Sequence, residues 1–344
     1  MKLEGIQMGR AVAALMVLLY HCNDFFLPER LYAGLDGGRI FRMGYAGVEF
    51  FFVLSGFIMI LVHRSDFDQP DRAAAFLRKR IVRIYPLLWI VLLGVLALNH
   101  VAGRASDPSA IAATFTLWPI RGDLVLVPAW TLQHEMLFYL LFMLVIINVR
   151  IGLSLLAIWM AGCLAAAFVG PFTYPFSFLF SPYNLLFPFG MLAGLVVKKV
   201  SKRDARQAFA TGLLLFVAVG LSEAWGVEWN LGLRTICYGI GALGMVVGLA
   251  NGVLPSCRPL TFLGDASYSI YLVHVPALAV TVAVFRKLGA PWSVPPLATL
   301  ILVCGVVVAA ATLVHTLVER RLLDRLRMRS PRSAACEPIQ GLSR

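Results

Sequence analysis

Apolar segments long enough to cross a bilayer recur at roughly 10–27, 45–63, 84–101, 128–148, 151–170, 182–197, 208–222, 231–250, 267–286 and 295–317. No other feature limits the possible folds so strongly. In hydrocarbon every backbone N–H and C=O needs an internal partner, and a single run of this length meets that need as a helix. The expectation is an all-α polytopic membrane protein with about ten transmembrane helices. Composition agrees: 60% of the 344 residues are hydrophobic and 14% are charged, more apolar surface than a soluble domain needs. The stretch "PFTYPFSFLFSPYNLLFPFG", 171–190, is the most interrupted by proline.

Charge then orients the chain. With the N-terminus inside, the inner connections hold 22 Lys and Arg, six of them in 64–83, against seven outside. Both termini are therefore expected in the cytoplasm, and the net charge of +12 reports topology. No basic run is interleaved with aromatics, which argues against nucleic acid as a partner. "MKLEGIQMGR" leads into an apolar run without a small-residue cleavage site, and reads as the start of an uncleaved first helix. The six cysteines, Cys22, Cys163, Cys237, Cys257, Cys304 and Cys336, are scattered and contain no CxxC pair, as expected of small buried hydrophobes. Residues 1–320 form one transmembrane domain in this reading, with 102–127 as its longest loop. Residues 321–344 form a basic cytoplasmic tail, partly disordered.

Ionisable groups inside the spans are costly and ask for a reason. Arg10 and His21 bracket "AVAALMVLLY". Eleven helical steps put them on nearly one face, roughly 16 Å apart along the axis. With Arg10 at the membrane edge, His21 falls near its middle. Glu135 in "PAWTLQHEMLFYLLF" and His274 in "SYSIYLVHVP" also lie inside spans, and Glu49 lies near the outer end of the second. His134 must point away from Glu135, and His100 and His315 read as helix-end residues. If His21, Glu135 and His274 converge, an imidazole can take a proton from an attacking hydroxyl while a carboxylate orients it or stabilises its charged form. That suits acyl transfer to an alcohol. It suits equally the proton relay of a transporter or flippase of lipid-linked glycan.

At the inner edge, "FLRKRIVRIYPLLW" carries Arg78, Lys79, Arg80 and Arg83. Positive-inside anchoring explains their charge but not their spacing. Arg80 and Arg83 share a helix face and, with Arg10 at the same level, could bind a polyanion such as the diphosphate of coenzyme A. Arg10 would then hold the phosphate end and His21 would work at the thioester end. "HRSDFD", 63–68, fits the H-x4-D pattern of glycerolipid acyltransferases. It reads as a chance match in a hydrophilic connection.

Five stretches, in this order, resemble the membrane-bound acyltransferase family 3, the O-acyltransferases of bacterial surface polysaccharides. They are the Arg10/His21 pair, "GVEFFFVLSGFIM", Arg80 and Arg83 before "IYP", "WTLQHEMLFY", and "LGDASYSIYLVH". The likeness is greatest to the branch that acetylates exopolysaccharides such as succinoglycan. It implies a multi-pass protein of the bacterial inner membrane that moves an acyl group, acetyl foremost, from acetyl-CoA or another cytoplasmic acyl-CoA. The acceptor is a sugar hydroxyl of an exopolysaccharide or lipid-linked glycan. By the same resemblance His21 is catalytic, and Arg10, Arg80 and Arg83 bind the donor. Glu135 is expected as the second catalytic residue, its carboxylate beside His21. Glu49, Ser55, Tyr271 and His274 are substrate-binding or supporting residues, with Glu49 standing where family members often have Asp. No metal is expected.

Overall fold

The computed structural model describes residues 3–27, 38–170, 172–289 and 295–328. Among these residues there is no β-strand. Ten helical segments are long and apolar enough to cross a membrane, matching the expected number. The first, α1 (Glu4–His21), runs on through a π-helical turn, Cys22–Phe26. A 3₁₀ segment, Arg39–Ala46, leads into α2 (Gly47–His63). Then follow α3 (Pro70–Val101), α4 (Pro108–Thr116), α5 (Ala129–Ile147) and α6 (Val149–Val169). Beyond them lie α7 (Phe176–Leu179), α8 (Leu186–Val196), α9 (Lys202–Ala224) and α10 (Leu231–Ala250). The chain continues with α11 (Arg258–Asp265), α12 (Ser267–Lys287), α13 (Pro296–Val314), a π-turn at His315–Glu319 and α14 (Arg320–Met328). The side on which α1 starts is called near below, and the opposite side far.

Two connections differ from the sequence reading. Only 64–69 of the expected 64–83 connection lie outside a long helix, because helix α3 begins at Pro70 and carries Arg72, Arg78, Arg80 and Arg83 on its first turns. Proline suits a first helical position, and Asp71 behind it favours the N-terminal dipole. Nor is 102–127 wholly a loop: Asp107 caps α4 by accepting from the Ala110 N–H at 3.2 Å.

The proline-rich span is broken rather than lost. A turn at Phe180–Ser181 separates α7 from the 3₁₀ segment Pro182–Leu185 and α8. The Leu179 carbonyl freed there accepts from Trp159 Nε1 at 2.6 Å and from the fully buried Asn184 Nδ2 at 3.1 Å. Neighbouring side chains thus satisfy the interrupted backbone, the condition for a broken helix in lipid.

Close approach places α2 at the centre. It packs on α8 through Gly56 and Gly190. A Cβ on Gly56 would lie 2.0 Å from the Phe187 carbonyl, and one on Gly190 would lie 1.8 Å from that of Val53. Such small residues let helix backbones meet where no hydrophobic force drives them together. Helices α1, α3, α5 and α12 surround the same region. The five described cysteines, Cys22, Cys163, Cys237, Cys257 and Cys304, are free. Cys336 and the tail beyond Met328 lie outside the described residues.

Candidate active site

Two cavities follow one another along the interior, a near chamber of about 170 Å³ and a far chamber of about 350 Å³. Val48 and Tyr271 line both and form the partition.

The near chamber collects Arg10, Arg80 and Arg83 from two helices, with Ser55, Glu135 and Tyr139 in the same lining. Helix periodicity does this: Arg78 and Lys79 are exposed, while Arg80 and Arg83 are half-buried on the inward face of α3. The chain also aims each guanidinium. Arg10 Nε donates to Ser267 Oγ at 3.1 Å. Arg80 Nη2 lies 2.8 Å from His63 Nε2, with its guanidinium 5.4 Å from the ring centres of both Phe76 and Tyr139. Arg83 Nη1 donates to Glu319 and its guanidinium lies 5.0 Å from the centre of the Tyr268 ring. Glu319 is itself buried, accepting from Ser269 at 2.7 Å and pairing with His315 Nδ1 at 2.8 Å.

His63 is thus not the loop residue that the "HRSDFD" match requires. It is a buried helix end, paired with Asp66 at 2.8 Å, while Asp68 Oδ1 accepts from the Val149 N–H at 2.7 Å. The two residues of the H-x4-D pattern have different partners.

Glu135 accepts from the Tyr139 hydroxyl and from Ser55 Oγ, the latter at 3.1 Å. It sits in the near chamber, whereas His21 lines the far one. The expected convergence of three groups is corrected to two: His274 Nε2 lies 3.3 Å from His21 Nδ1, and Glu135 is not among the partners of His21. Tyr271 and Val48 intervene because Glu135, one turn deeper than Thr131 along α5, has passed the partition. His134 points away from Glu135, as expected, with Nδ1 3.0 Å from Asn184 Oδ1.

The first helical segment runs from Glu4 to Phe26, so the helix starts before the apolar run does, and Arg10 and His21 lie roughly 8 Å on either side of its midpoint at helical rise.

Hydrogen bonding fixes the tautomer of the pair. His21 Nδ1 lies 2.9 Å from the Val17 carbonyl, so in the neutral ring it carries the proton. His274 Nδ1 likewise faces the Tyr271 carbonyl, leaving Nε2 as an acceptor towards His21. His21 Nε2 is left with its lone pair. The ring packs edge-on to His274 and stacks on Phe25, with centroids 4.9 Å and 5.8 Å away.

Opposite His21 the far chamber carries Glu49, Arg234, Tyr45, Tyr183 and Trp130. Arg234 Nη2 donates to the Tyr183 hydroxyl at 3.0 Å, and Nη1 lies 3.5 Å from Glu223. Glu223 in turn accepts from the hydroxyls of Tyr45 and Tyr238, the latter at 2.7 Å. Arg234, Glu223 and Glu319 escaped the sequence reading. The one available signal was an arginine within an otherwise apolar span, the feature already applied to His21.

Chain-wide similarity decides the family, for a model described as an acyltransferase domain, Acyl_transf_3, matches residues 3–315. The protein belongs to the acyltransferase 3 family. It is similar to the exopolysaccharide production protein ExoZ of Rhizobium meliloti (strain 1021), 30% identical over 312 residues that cover 85% of this chain and 93% of the relative. It also resembles the O-acetyltransferase OatA of Staphylococcus aureus at 25% identity and the peptidoglycan O-acetyltransferase OatA of Listeria monocytogenes at 26%. The alignments span 80% of this chain and about half of each OatA protein, 50% and 49%. No solved structure matches. The protein is thus a multi-pass membrane acyltransferase. Among its described residues no group of three or more His, Cys, Asp or Glu could hold a metal ion.

Proposed function

We propose that the protein O-acetylates a polysaccharide or its lipid-linked precursor, with acetyl-CoA bound from the cytoplasmic side. The observation that carries this reading is the axial order of the two chambers. Three guanidiniums gather in the near one and an imidazole with a free lone pair stands in the far one, with Val48 and Tyr271 between them. Arginines suit the phosphates of a nucleotide donor, whose long arm reaches inward. The near side is then cytoplasmic, in keeping with the excess of Lys and Arg on that side, and the membrane is the bacterial inner membrane. Similarity to an exopolysaccharide production protein and to a peptidoglycan O-acetyltransferase supports acetyl as the group moved and a glycan as its acceptor.

In this reading the acceptor hydroxyl oxygen attacks the thioester carbonyl while His21 Nε2 takes its proton. The C–O bond forms, the C–S bond breaks, and the departing thiolate recovers the proton to give free CoA. The positive charge on His21 is shared through Nδ1 with Val17 O and His274 Nε2. His274 is therefore the positioning residue, and Glu135, with Ser55, lines the donor's path. Residues 1–320 constitute the acyltransferase unit.

The test is acetyl-CoA labelled in its acetyl group, supplied to inside-out membrane vesicles with their endogenous glycan. Label in base-labile glycan esters with stoichiometric CoA thiol supports acyl transfer. Glycan crossing the membrane without label, driven by a proton gradient, would replace this reading with transport.

A further inference from the structure

We propose that the far chamber is the acceptor site and that it selects a neutral, polyhydroxylated sugar, two of whose hydroxyls engage Glu49 and Arg234 beside His21. The inference rests on the acyl-transfer reading and adds a substrate class to it. Glu49 is fully buried, yet neither of its carboxylate oxygens makes a hydrogen bond among the described residues. A carboxylate taken out of water without hydrogen bonds is strongly disfavoured unless something else supplies them. Its ion partner is displaced: Arg234 Nη2 stands 3.7 Å from Glu49 Oε1. That is too long for a hydrogen bond, and short enough for one hydroxyl to touch both. Arg234 Nε is also buried without a partner. Glu49 and Arg234 line the same 350 Å³ chamber as His21 and His274, a volume in the range of small-molecule sites.

The chemistry on offer is an acceptor next to a donor. A hydroxyl can donate to Glu49 and accept from Arg234, which a vicinal diol does twice over. The rings of Tyr20, Phe25, Tyr45 and Trp130 complete the wall and suit the apolar C–H face of a pyranose. Charge sets the class. Arg234 faces two carboxylates, Glu49 at 3.7 Å and Glu223 at 3.5 Å, and Tyr183 takes one of its N–H groups. A uronate would bring a third carboxylate to a single guanidinium and is repelled. A neutral sugar meets no such opposition.

The experiment uses the full chain in lipid nanodiscs with acetyl-CoA as donor. The acceptor probes are methyl β-D-glucopyranoside and the corresponding methyl glucuronide. Acetyl-CoA binding is measured first, without acceptor; its absence sinks the acyl-transfer reading itself. With binding established, the glucoside is expected to stimulate CoA thiol release saturably, and the glucuronide to need at least about ten-fold more. Arg234→Lys should raise the glucoside KM about ten-fold with the acetyl-CoA KM unchanged. Glu49→Gln should narrow the preference for glucoside over glucuronide, a ratio that a merely structural carboxylate would not move. The proposal is overturned if donor-bound protein uses both glycosides equally or neither. It is also overturned if the variants lose thermal stability, or shift donor and acceptor KM together, while the preference ratio stays fixed.

Discussion

The two chambers solve opposite problems with the same residue type. In the near chamber three arginines are each oriented by the protein itself, through Ser267, His63 and Glu319. In the far chamber Arg234 is braced by Tyr183 and Glu223, while the carboxylate it faces, Glu49, is left without a hydrogen bond. The near chamber is a preorganised cationic surface, where the proposed mechanism binds the donor; the far chamber, where that mechanism places the chemistry, keeps polar groups available. Binding energy spent remotely and chemistry done elsewhere should therefore separate in mutant kinetics.

The largest separation is expected at His21. His21→Ala removes the free lone pair and should lower kcat by about 10²–10⁴-fold, with acetyl-CoA affinity near that of the parent. Labelled-acetate transfer and equilibrium CoA binding on preparations matched for thermal stability measure the two quantities. If affinity falls in step with turnover, the chambers are not functionally distinct and His21 is a packing residue.

The complementary effect belongs to Arg80 and Arg83. Each charge-assisted contact to a phosphate is worth about 1.5–3 kcal/mol, so Arg80→Ala and Arg83→Ala should each raise the acyl-CoA KM by about ten-fold or more and lower kcat less. Glu319→Gln should do the same at reduced size, because it loosens Arg83 without removing it. A rise in KM that salt abolishes equally in parent and variants would point to general surface charge instead, since buried contacts are screened less.

Sequence alone reached the ten helices because hydrocarbon leaves a span few options, and burial of one imidazole or guanidinium among apolar residues is conspicuous. It also found Arg80 and Arg83, whose spacing of three fixes a shared face. It misplaced Glu135 relative to His21, since depth along two antiparallel helices depends on their stagger, which no local pattern records. His63 and Glu319 were hidden for a different reason. Each lies at a helix end in a polar stretch, where a charge or an imidazole is the ordinary surface case. Only packing reveals that both are buried, at 2% exposure, and turned towards arginines of another helix. The boundary error at 64–83 has a related cause: hydropathy marks the lipid-facing part of α3 and is silent about the polar turns that continue it.

The smallest expected effect tests the link between the imidazoles. His274 Nε2 accepts from His21 Nδ1 at 3.3 Å, and its Nδ1 faces the Tyr271 carbonyl, so both of its ring nitrogens are engaged. Its removal should leave both the base and the Val17 contact in place. His274→Ala is then expected to lower kcat by up to about ten-fold, the range of one neutral hydrogen bond, with the acyl-CoA KM unchanged. His274→Asn offers an acceptor from a shorter side chain and should recover part of the loss. Rescue distinguishes positioning from bulk packing: recovery of kcat in His274→Asn at unchanged thermal stability reports the lost acceptor, whereas a packing role loses stability and turnover together. If His274→Ala instead abolishes turnover as fully as His21→Ala does, the two rings act as a single proton-transfer unit, and the base cannot be assigned to His21 alone.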